Sequence, residues 1–307
     1  MKVSVVIPCY NSEATISGVV NLAREKLLSL GYDYEFVLVN DSSRDTTFSE
    51  IRKLCTEDKK VKGMDCARNF GQHNAIMAAL HHVTGDYVLG MDDDFQTHPS
   101  QFPKLLGKLE EGWDVVFAKY QHQKQSLFRS MGTIFTRWTM RVLTDRPKDV
   151  YASSFWVARS YVCKEVIHYE SQYSYIQGLF FRTTKSITDV EVEHFERAVG
   201  SSGYTLKSLI RNWAIVINFS ITPLHLSTFF GALMGILGVL GGIAIVINKF
   251  LDPTLQLGWS SVMVTILLSF GLNLICLGVI GEYLGRLFMT INKTPQFVLR
   301  EKLNCND

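Results

Sequence analysis

The sequence predicts an α/β domain with a mostly parallel sheet, followed by two membrane-spanning helices. Over the first 120 residues, short β-branched runs alternate with amphipathic segments of helical length, which is typical of parallel strands joined by helices. No Asp, Glu, Lys or Arg occurs between Arg211 and Lys249, or between Asp252 and Glu282. Each stretch exceeds the roughly 20 apolar residues that a membrane-spanning helix requires.

The elements of the first 120 residues can be placed one by one. Strands are predicted at Val3–Ile7, Phe36–Val39, Val61–Met64, Tyr87–Met91 and Asp114–Phe117, and helices at Glu13–Leu30, Thr46–Thr56, Gln72–His82 and Pro99–Glu111. Further on, SLFRSMGTIFTRWTMRVL is predicted to be a helix, and SSFWVARSYV and ITDVEVEHF are predicted to be strands that extend the sheet.

The apolar segments predict the domain organisation. We expect a sheet domain over residues 1–206, an amphipathic juxtamembrane segment over 207–227, a two-helix hairpin over 228–283 with spans near 228–248 and 259–281, and a tail over 284–307. The flanks of the hairpin carry Lys207, Arg211, Arg286, Lys293, Arg300 and Lys302. In the connecting loop Lys249 is the only basic residue. The positive-inside rule therefore places both termini in the cytoplasm. The alternative is two buried helices of a large soluble domain.

Polar residues follow the predicted strands at their carboxyl ends, where ligands bind in sheets of this kind. Pro8, Tyr10 and Asn11 follow the first strand, Asp41 the second, and Arg68 and Asn69 the third. The Asp41 carboxylate could accept a hydrogen bond from a base or a ribose hydroxyl, although a capping role is equally compatible with its position. These clusters predict a ligand site at one edge of the sheet.

The segment MDDDFQ follows the fourth strand and places three carboxylates side by side. In extended backbone, Asp92, Asp94 and Gln96 would share one face, and Asp93 would point away. Their oxygens form a partial shell suited to Mg²⁺ or Mn²⁺. The alternative is a solvated acidic turn.

Other features narrow the function classes. The absence of GxGxxG and GxxxxGK[ST] motifs disfavours dinucleotide oxidoreductases and P-loop enzymes. The net charge of +2, with no basic stripe containing interleaved aromatic residues, gives no indication of a nucleic-acid partner. Glycines four residues apart in the first span, such as Gly231 and Gly235, permit close approach of another helix and are compatible with a homo-oligomer.

Taken in order, the motifs VVIPCYN, VNDSSRD, ARNFGQHNA, MDDDFQTHPSQFP, ERAVGSSGY and IGEYLGRLF resemble those of membrane-bound family 2 glycosyltransferases that load a sugar onto a polyprenyl phosphate. Dolichol-phosphate mannose synthase and bacterial undecaprenyl-phosphate glucosyltransferases belong to this group. The resemblance covers nearly the whole chain. It implies a GT-A fold, a nucleotide-sugar donor, a divalent metal and a lipid phosphate acceptor.

Site roles follow from the resemblance residue by residue. It implies nucleotide contacts for Pro8, Tyr10 and Asp41, metal and diphosphate binding for Asp92, Asp94 and Gln96, and a phosphate contact for Arg197. Asn11, Arg68, Asn69 and Asp92, which follow the same strands, are predicted to contact the nucleotide as well. The chain also departs from the family pattern at several positions: Ser12 replaces a glutamate, Asp93 an alanine, Gly203 a lysine, Thr294 an arginine, and Ser154 the aspartate proposed as the base.

The loss of that aspartate is compatible with catalysis, because a phosphate monoester has a second pKa of about 6 and is largely dianionic at neutral pH. The enzyme would instead need a metal and basic groups to bring two anions together. Arg197 and Arg129 are the candidates for the basic groups, and Lys119 and Lys207 are weaker ones.

The predicted reaction is inverting transfer from a nucleotide sugar, most simply a UDP-sugar, to undecaprenyl phosphate. It would take place at the cytoplasmic face of a bacterial inner membrane and serve cell-envelope glycans. One alternative is a processive polysaccharide synthase, but Ile134 stands where its QxxRW motif needs glutamine. The other alternative is a non-catalytic membrane scaffold that binds nucleotide sugar.

Overall fold

The computed structural model describes residues 1–120, 147, 150–193, 195, 222–251 and 258–305. The chain divides into two compact units. Met1–Phe219 and Thr294–Asp307 form the first unit, and Ser220–Lys293 form the second. The C-terminal residues therefore belong to the same unit as the N-terminal sheet.

The first unit contains an eight-stranded sheet within its described part. The strands are β1 Lys2–Cys9, β2 Asp33–Asn40, β3 Val61–Cys66, β4 Tyr87–Gly90, β5 Val115–Tyr120, β6 Trp156–Arg159, β7 Ile187–Val192 and β8 Leu299–Leu303. The helices are α1 Ile16–Ser29, α2 Thr47–Glu57, α3 Gln72–Leu80, α4 Phe102–Glu110, α5 Ser160–Val166 and α6 Ile176–Thr183, and a 3₁₀ turn at Pro99–Gln101 precedes α4.

The strand order is β7-β5-β6-β4-β1-β2-β3-β8. The neighbouring strands β4, β1, β2 and β3 are parallel, whereas β6 runs antiparallel to both β4 and β5, and β8 runs antiparallel to β3. The carboxyl ends of β1 to β4 therefore meet at one edge of the sheet. Because β6 runs in the opposite direction, the residues just before it reach this same edge.

The central strands are buried on both faces, which explains their continuous apolar runs. On one face, Val5 and Leu38 pack with Ile51 of α2 in one apolar cluster. On the other face, Val6 and Val37 belong to a second cluster together with α3. The two clusters pack the sheet between two layers of helices, and the polar residues that follow its strands lie at its carboxyl edge, outside both clusters.

A buried carboxylate, Glu35, lies at the amino end of the sheet. It accepts hydrogen bonds from the Lys2 ammonium at 2.8 Å and the Lys62 ammonium at 3.1 Å, and also from Ser4 and from Thr84. Burial alone would raise the pKa of Glu35, but these hydrogen bonds outweigh it and lower the pKa from 4.5 to about 2. The carboxylate is therefore fully paired and ionised at neutral pH.

The predicted α/β fold with a mostly parallel sheet is confirmed, and one local prediction within it is partly wrong. SSFWVARSYV is a strand only at Trp156–Arg159, since α5 begins at Ser160. Val162 and Cys163 of α5 pack into the second apolar cluster. This burial stabilises a helix where the β-branched and apolar residues had predicted a strand. The predicted helix over SLFRSMGTIFTRWTMRVL lies outside the described residues.

The second unit contains two long helices, α7 Thr222–Leu251 and α8 Trp259–Ile291. Each is long and apolar enough to cross a membrane, over Ser227–Ala244 and Leu268–Ile291 respectively. Large apolar side chains such as Leu237, Ile266 and Leu277 are more than half exposed. The predicted spans fall inside these helices, but α8 continues ten residues past 281, and β8 then forms within the predicted tail.

Candidate active site

The loops after β1 and β2 are linked by hydrogen bonds at the carboxyl edge of the sheet. The backbone of Asn11 is left-handed, with φ of 55°, a conformation that asparagine tolerates. Its N–H donates to the Ser43 hydroxyl at 3.0 Å, and its side-chain oxygen accepts from the Arg44 N–H at 2.9 Å. The Glu13 carboxylate accepts from the Thr46 N–H at 2.9 Å. Asn11 thus holds the two loops together.

Asp41 follows β2 and organises the next loop. Its carboxylate is buried and accepts from the backbone N–H groups of Phe70 at 2.7 Å and Gly71 at 2.8 Å. Its carbonyl accepts from the Asn69 amide at 3.2 Å. Burial raises the pKa of Asp41, and the two backbone hydrogen bonds oppose that shift. Arg68 lies over the Phe70 ring at 4.6 Å, so Asp41, Arg68 and Asn69 come together as predicted from their strand ends.

The acidic segment is a turn, which corrects the extended geometry that we predicted from alternation. Strand β4 ends at Gly90, and Phe95 is left-handed with φ of 64°, an unusual conformation for a bulky residue. Its ring lies so close to α1 that a Cβ atom on Gly18 would meet it at 2.9 Å. The segment therefore bends at Phe95 and is not the extended strand that alternation predicted.

The three carboxylates therefore contact different neighbours. Asp94 accepts from the Gln96 N–H within the turn at 3.1 Å. Asp93 accepts from the Tyr10 N–H at 3.2 Å and so connects the acidic turn to the loop after β1. The Tyr10 side chain is 47% exposed at this edge. Asp93, to which sequence analysis gave no role, is thus a structural link.

Asp92 is held by two neutral donors. One of its oxygens accepts from the Gln72 amide of α3 at 2.8 Å, and the other accepts from the Ser154 hydroxyl at 2.6 Å. Burial raises the pKa of Asp92 to about 6, and the charges of Asp94 and Asp93 add to this rise. Ser154 reaches Asp92 because it precedes the antiparallel strand β6.

These residues fit a divalent cation as a partial shell. No group of three His, Cys, Asp or Glu side chains able to hold a metal occurs among the described residues. Burial, and to a smaller extent the charges of Asp94 and Asp93, raise the pKa of Asp92, and a cation at this position would favour the ionised carboxylate. Carboxylate and amide oxygens are also hard ligands. A bound phosphate-containing ligand would have to supply the remaining oxygens.

Of the four predicted phosphate-holding cations, only Lys119 lies within the described residues; Arg129, Arg197 and Lys207 lie outside them. Lys119 is 3.5 Å from Glu191 of β7. The next residue, Tyr120, is close enough to Asp92 and Asp94 that their charges add to the rise in its pKa caused by burial. Because adjacent strand residues face opposite sides, Lys119 lies on the opposite face of β5 from Tyr120. Gln72 and Tyr120 are site residues that sequence analysis missed, since only tertiary packing brings them to Asp92.

The fold and this edge define the class of protein, a glycosyltransferase of the GT-A type. The structure is similar to that of glucosyl-3-phosphoglycerate synthase from M. tuberculosis, with a TM-score of 0.53 and 21% identity, covering 72% of this chain and 80% of that one. The same enzyme in complex with Mn²⁺, uridine diphosphate and phosphoglyceric acid gives a TM-score of 0.51 at 20% identity, covering 72% and 78%. At this identity the likeness concerns the fold alone.

The chain belongs to the family described as glycosyl transferase family 2, whose sequence signature matches residues 4–166. It is also similar over nearly its whole length to undecaprenyl-phosphate 4-deoxy-4-formamido-L-arabinose transferases. The protein from Enterobacter sp. (strain 638) is 29% identical, covering 97% of this chain and 93% of its own. The protein from Shewanella sediminis (strain HAW-EB3) is 29% identical, covering 98% and 92%. The family resemblance inferred from the motifs is confirmed.

Proposed function

We propose that this glycosyltransferase moves a sugar from a UDP-sugar to undecaprenyl phosphate, with inversion at the anomeric carbon, at the cytoplasmic face of a bacterial inner membrane. The observation that carries this proposal is the convergence of Asp41, Asp92 and Asp94 at one sheet edge in a chain that also contains two helices long enough to cross a membrane. The full-length similarity to transferases named for undecaprenyl phosphate supports the choice of acceptor.

The donor nucleotide would bind among the loops at the carboxyl ends of β1, β2 and β3. Pro8, Tyr10 and Asn11 supply one wall of this site. Asp41, Arg68 and Asn69 supply the other and are held in one loop by the hydrogen bonds to Asp41. The exposed Tyr10 ring offers an aromatic face for a base.

Asp92, Asp94 and Gln96 would hold Mg²⁺ or Mn²⁺ beside the donor diphosphate. The metal would neutralise the charge that develops on the departing nucleoside diphosphate. The Gln72 and Ser154 donors orient the Asp92 carboxylate for this task.

The acceptor phosphate needs no general base because it is already largely dianionic at pH 7. Ser154, which stands at the position of the family aspartate, would then serve to hold Asp92 through its hydroxyl and not to take up a proton. Arg129 and Arg197 remain the predicted groups that hold the lipid phosphate against the donor.

A transfer assay tests the proposal. The full chain in detergent is given undecaprenyl phosphate, radiolabelled UDP-sugars and either Mn²⁺ or EDTA. We expect label in the lipid phase only with metal. Asp94→Asn should abolish transfer, whereas Asp86→Asn, at the amino end of β4 where the carboxylate accepts from the Lys2 N–H, should transfer at the wild-type rate.

Three other outcomes would overturn the proposal. Donor binding without any lipid product across the donor panel would favour the non-catalytic scaffold. A polymer formed without lipid phosphate would favour a processive synthase. Full transfer by Asp94→Asn would remove the metal from the mechanism.

A further inference from the structure

The residues after α8 return to the sheet and form what we call the C-terminal brace, residues 294–305. Its strand β8 pairs antiparallel with β3, with Gly63 opposite Leu303 and Cys66 opposite Leu299. The brace belongs to the same compact unit as the sheet. It carries two side chains, Gln296 and Arg300, that begin polar chains leading into the candidate donor site.

Gln296 is nearly buried, with 8% of its surface exposed. Its amide nitrogen lies within hydrogen-bond distance of three acceptors: the Tyr169 carbonyl at 3.1 Å, the Ser171 carbonyl at 2.9 Å and the Ser174 hydroxyl oxygen at 2.6 Å. The amide has two N–H groups, so it donates to two of these acceptors at a time. A carboxylate of the same shape has no N–H for the two carbonyls, and the Ser174 hydroxyl could donate to it only by giving up its hydrogen bond to Asn74.

The first polar chain runs from Ser174 to the loop held by Asp41. The Ser174 hydroxyl donates to the Asn74 side-chain oxygen at 2.8 Å, and the Asn74 amide donates to the Phe70 carbonyl at 2.9 Å. The N–H of the same Phe70 donates to the Asp41 carboxylate. The loop carrying Arg68 and Asn69 is thus held through both backbone groups of Phe70: its N–H bonds to Asp41, and its carbonyl bonds to the polar chain from the brace.

A second chain begins four residues further along the brace. The Arg300 guanidinium donates to Asp65 at 3.1 Å, and the other oxygen of Asp65 accepts from the Asn40 amide at 2.7 Å. The Asn40 oxygen accepts from the Ser43 hydroxyl at 2.5 Å, and the Ser43 oxygen accepts from the Asn11 N–H. This chain ends in the other wall of the candidate donor site.

We propose that the C-terminal brace is part of the frame of the donor site and that Gln296 is a positioning residue for nucleotide binding. Both chains end on loops at the carboxyl edge of the sheet, not in the apolar core. A brace that only closed the end of the sheet would need the β3–β8 ladder but neither polar chain. The inference rests on the proposed function to the extent that these loops bind the donor nucleotide.

The test compares two exchanges between amide and carboxylate in the same brace. Gln296→Glu keeps the side-chain shape but has no N–H to donate to the Tyr169 and Ser171 carbonyls, and its carboxylate would draw the Ser174 hydroxyl away from Asn74. Glu301→Gln is the matched control, because Glu301 pairs with Arg52 of α2 and lies outside both chains. Ser174→Ala cuts the first chain but leaves the Gln296 bonds to two carbonyls, so it decides the question if Gln296→Glu fails to fold.

Two readouts are measured on the full chain in detergent. Hydrogen exchange of the Phe70 and Gly71 amides should be about tenfold faster in Gln296→Glu and Ser174→Ala, as expected when one buried hydrogen bond no longer holds the loop. The Kd for UDP with Mn²⁺ and the donor KM should rise by about the same factor, with kcat changed much less. Glu301→Gln should match the wild-type chain in both readouts.

Wild-type exchange and wild-type donor KM in Gln296→Glu and Ser174→Ala would overturn the inference. A fall in kcat with unchanged KM would also overturn it, because a positioning role for the nucleotide requires weaker binding. If the amides of Phe70 and Gly71 exchange faster in the variants but the wild-type chain binds no UDP, the coupling stands and the proposed function fails.

Discussion

Ser154 offers the sharpest test of the acidic turn, because its hydroxyl donates to a carboxylate of unusually high pKa. Ser154→Ala removes the 2.6 Å hydrogen bond to Asp92. A hydrogen bond to a charged group contributes about 1.5–3 kcal/mol to stability, and 1 kcal/mol shifts the melting temperature of a domain of this size by about 2–4 °C. We expect thermal unfolding in detergent to begin about 3–12 °C lower in Ser154→Ala.

The opposite substitution, Ser154→Asp, should make stability depend on metal. It places a second carboxylate beside Asp92, and two charges about 4 Å apart repel by about 4 kcal/mol at an effective dielectric constant near 20. Because a divalent cation relieves this repulsion, adding Mn²⁺ should raise the melting temperature of Ser154→Asp more than that of the wild-type chain.

The control for both variants is Ser29→Ala, which removes an exposed hydroxyl that donates to the Lys26 carbonyl at the end of α1. It should leave the melting temperature and its response to Mn²⁺ unchanged. The reasoning is refuted if Ser154→Ala melts like the wild-type chain and Mn²⁺ shifts Ser154→Asp and the wild-type chain equally. That result would mean that Ser154 does not hold Asp92 in solution.

Three further substitutions test other parts of the domain. Asp41→Asn places an amide donor against a backbone N–H, such as that of Gly71, at a cost of about 1–3 kcal/mol. Calorimetry should therefore show UDP binding about tenfold weaker. An unchanged Kd would mean that Asp41 does not contribute to the donor site. Because the folded-state pKa of Glu35 is lowered from 4.5 to about 2, Glu35 contributes about 3 kcal/mol to the free energy of unfolding above pH 4.5, and this contribution is lost as the pH falls towards 2. Urea unfolding of Glu35→Gln should lack this pH dependence. The same pH dependence in Glu35→Gln and the wild-type chain would contradict the lowered pKa. A Cβ on Gly90 would lie 2.3 Å from the Trp156 ring, so Gly90→Ala should cost about 1–3 kcal/mol in urea unfolding; wild-type stability would show that the indole moves freely.

The sequence alone predicted the parts of the fold that repeat a simple pattern. Buried parallel strands are apolar on both faces, so the first five strands could be placed within a few residues of their bounds in the structure. The polar residues after β1, β2 and β4 could be assigned to one edge because parallel strands end together. No tertiary information was needed for either step.

Other features depend on contacts between distant residues and could not be read from local patterns. Helices α5 and α6 are set by burial in the second apolar cluster. Strand β8 is too short to be predicted from local pattern, and it forms by pairing with the edge strand β3. In the acidic segment, the left-handed Phe95 packs its ring against Gly18, and alternation in the sequence cannot reveal such a contact.

Glu35 at the amino end of the sheet and Asp41, Asp92 and Asp93 at the carboxyl end have opposite pKa shifts, and this contrast favours a cation beside the last three. At the amino end, two lysines accompany Glu35, and its hydrogen bonds lower its pKa. At the carboxyl end, the pKa values of Asp41, Asp92 and Asp93 are all raised, with burial as the largest cause. The donors that hold Asp92 are neutral, so they orient the carboxylate without cancelling its charge. Negative charge kept in place but not neutralised costs stability, and binding a divalent cation with a donor diphosphate would recover that cost where the proposed transfer takes place.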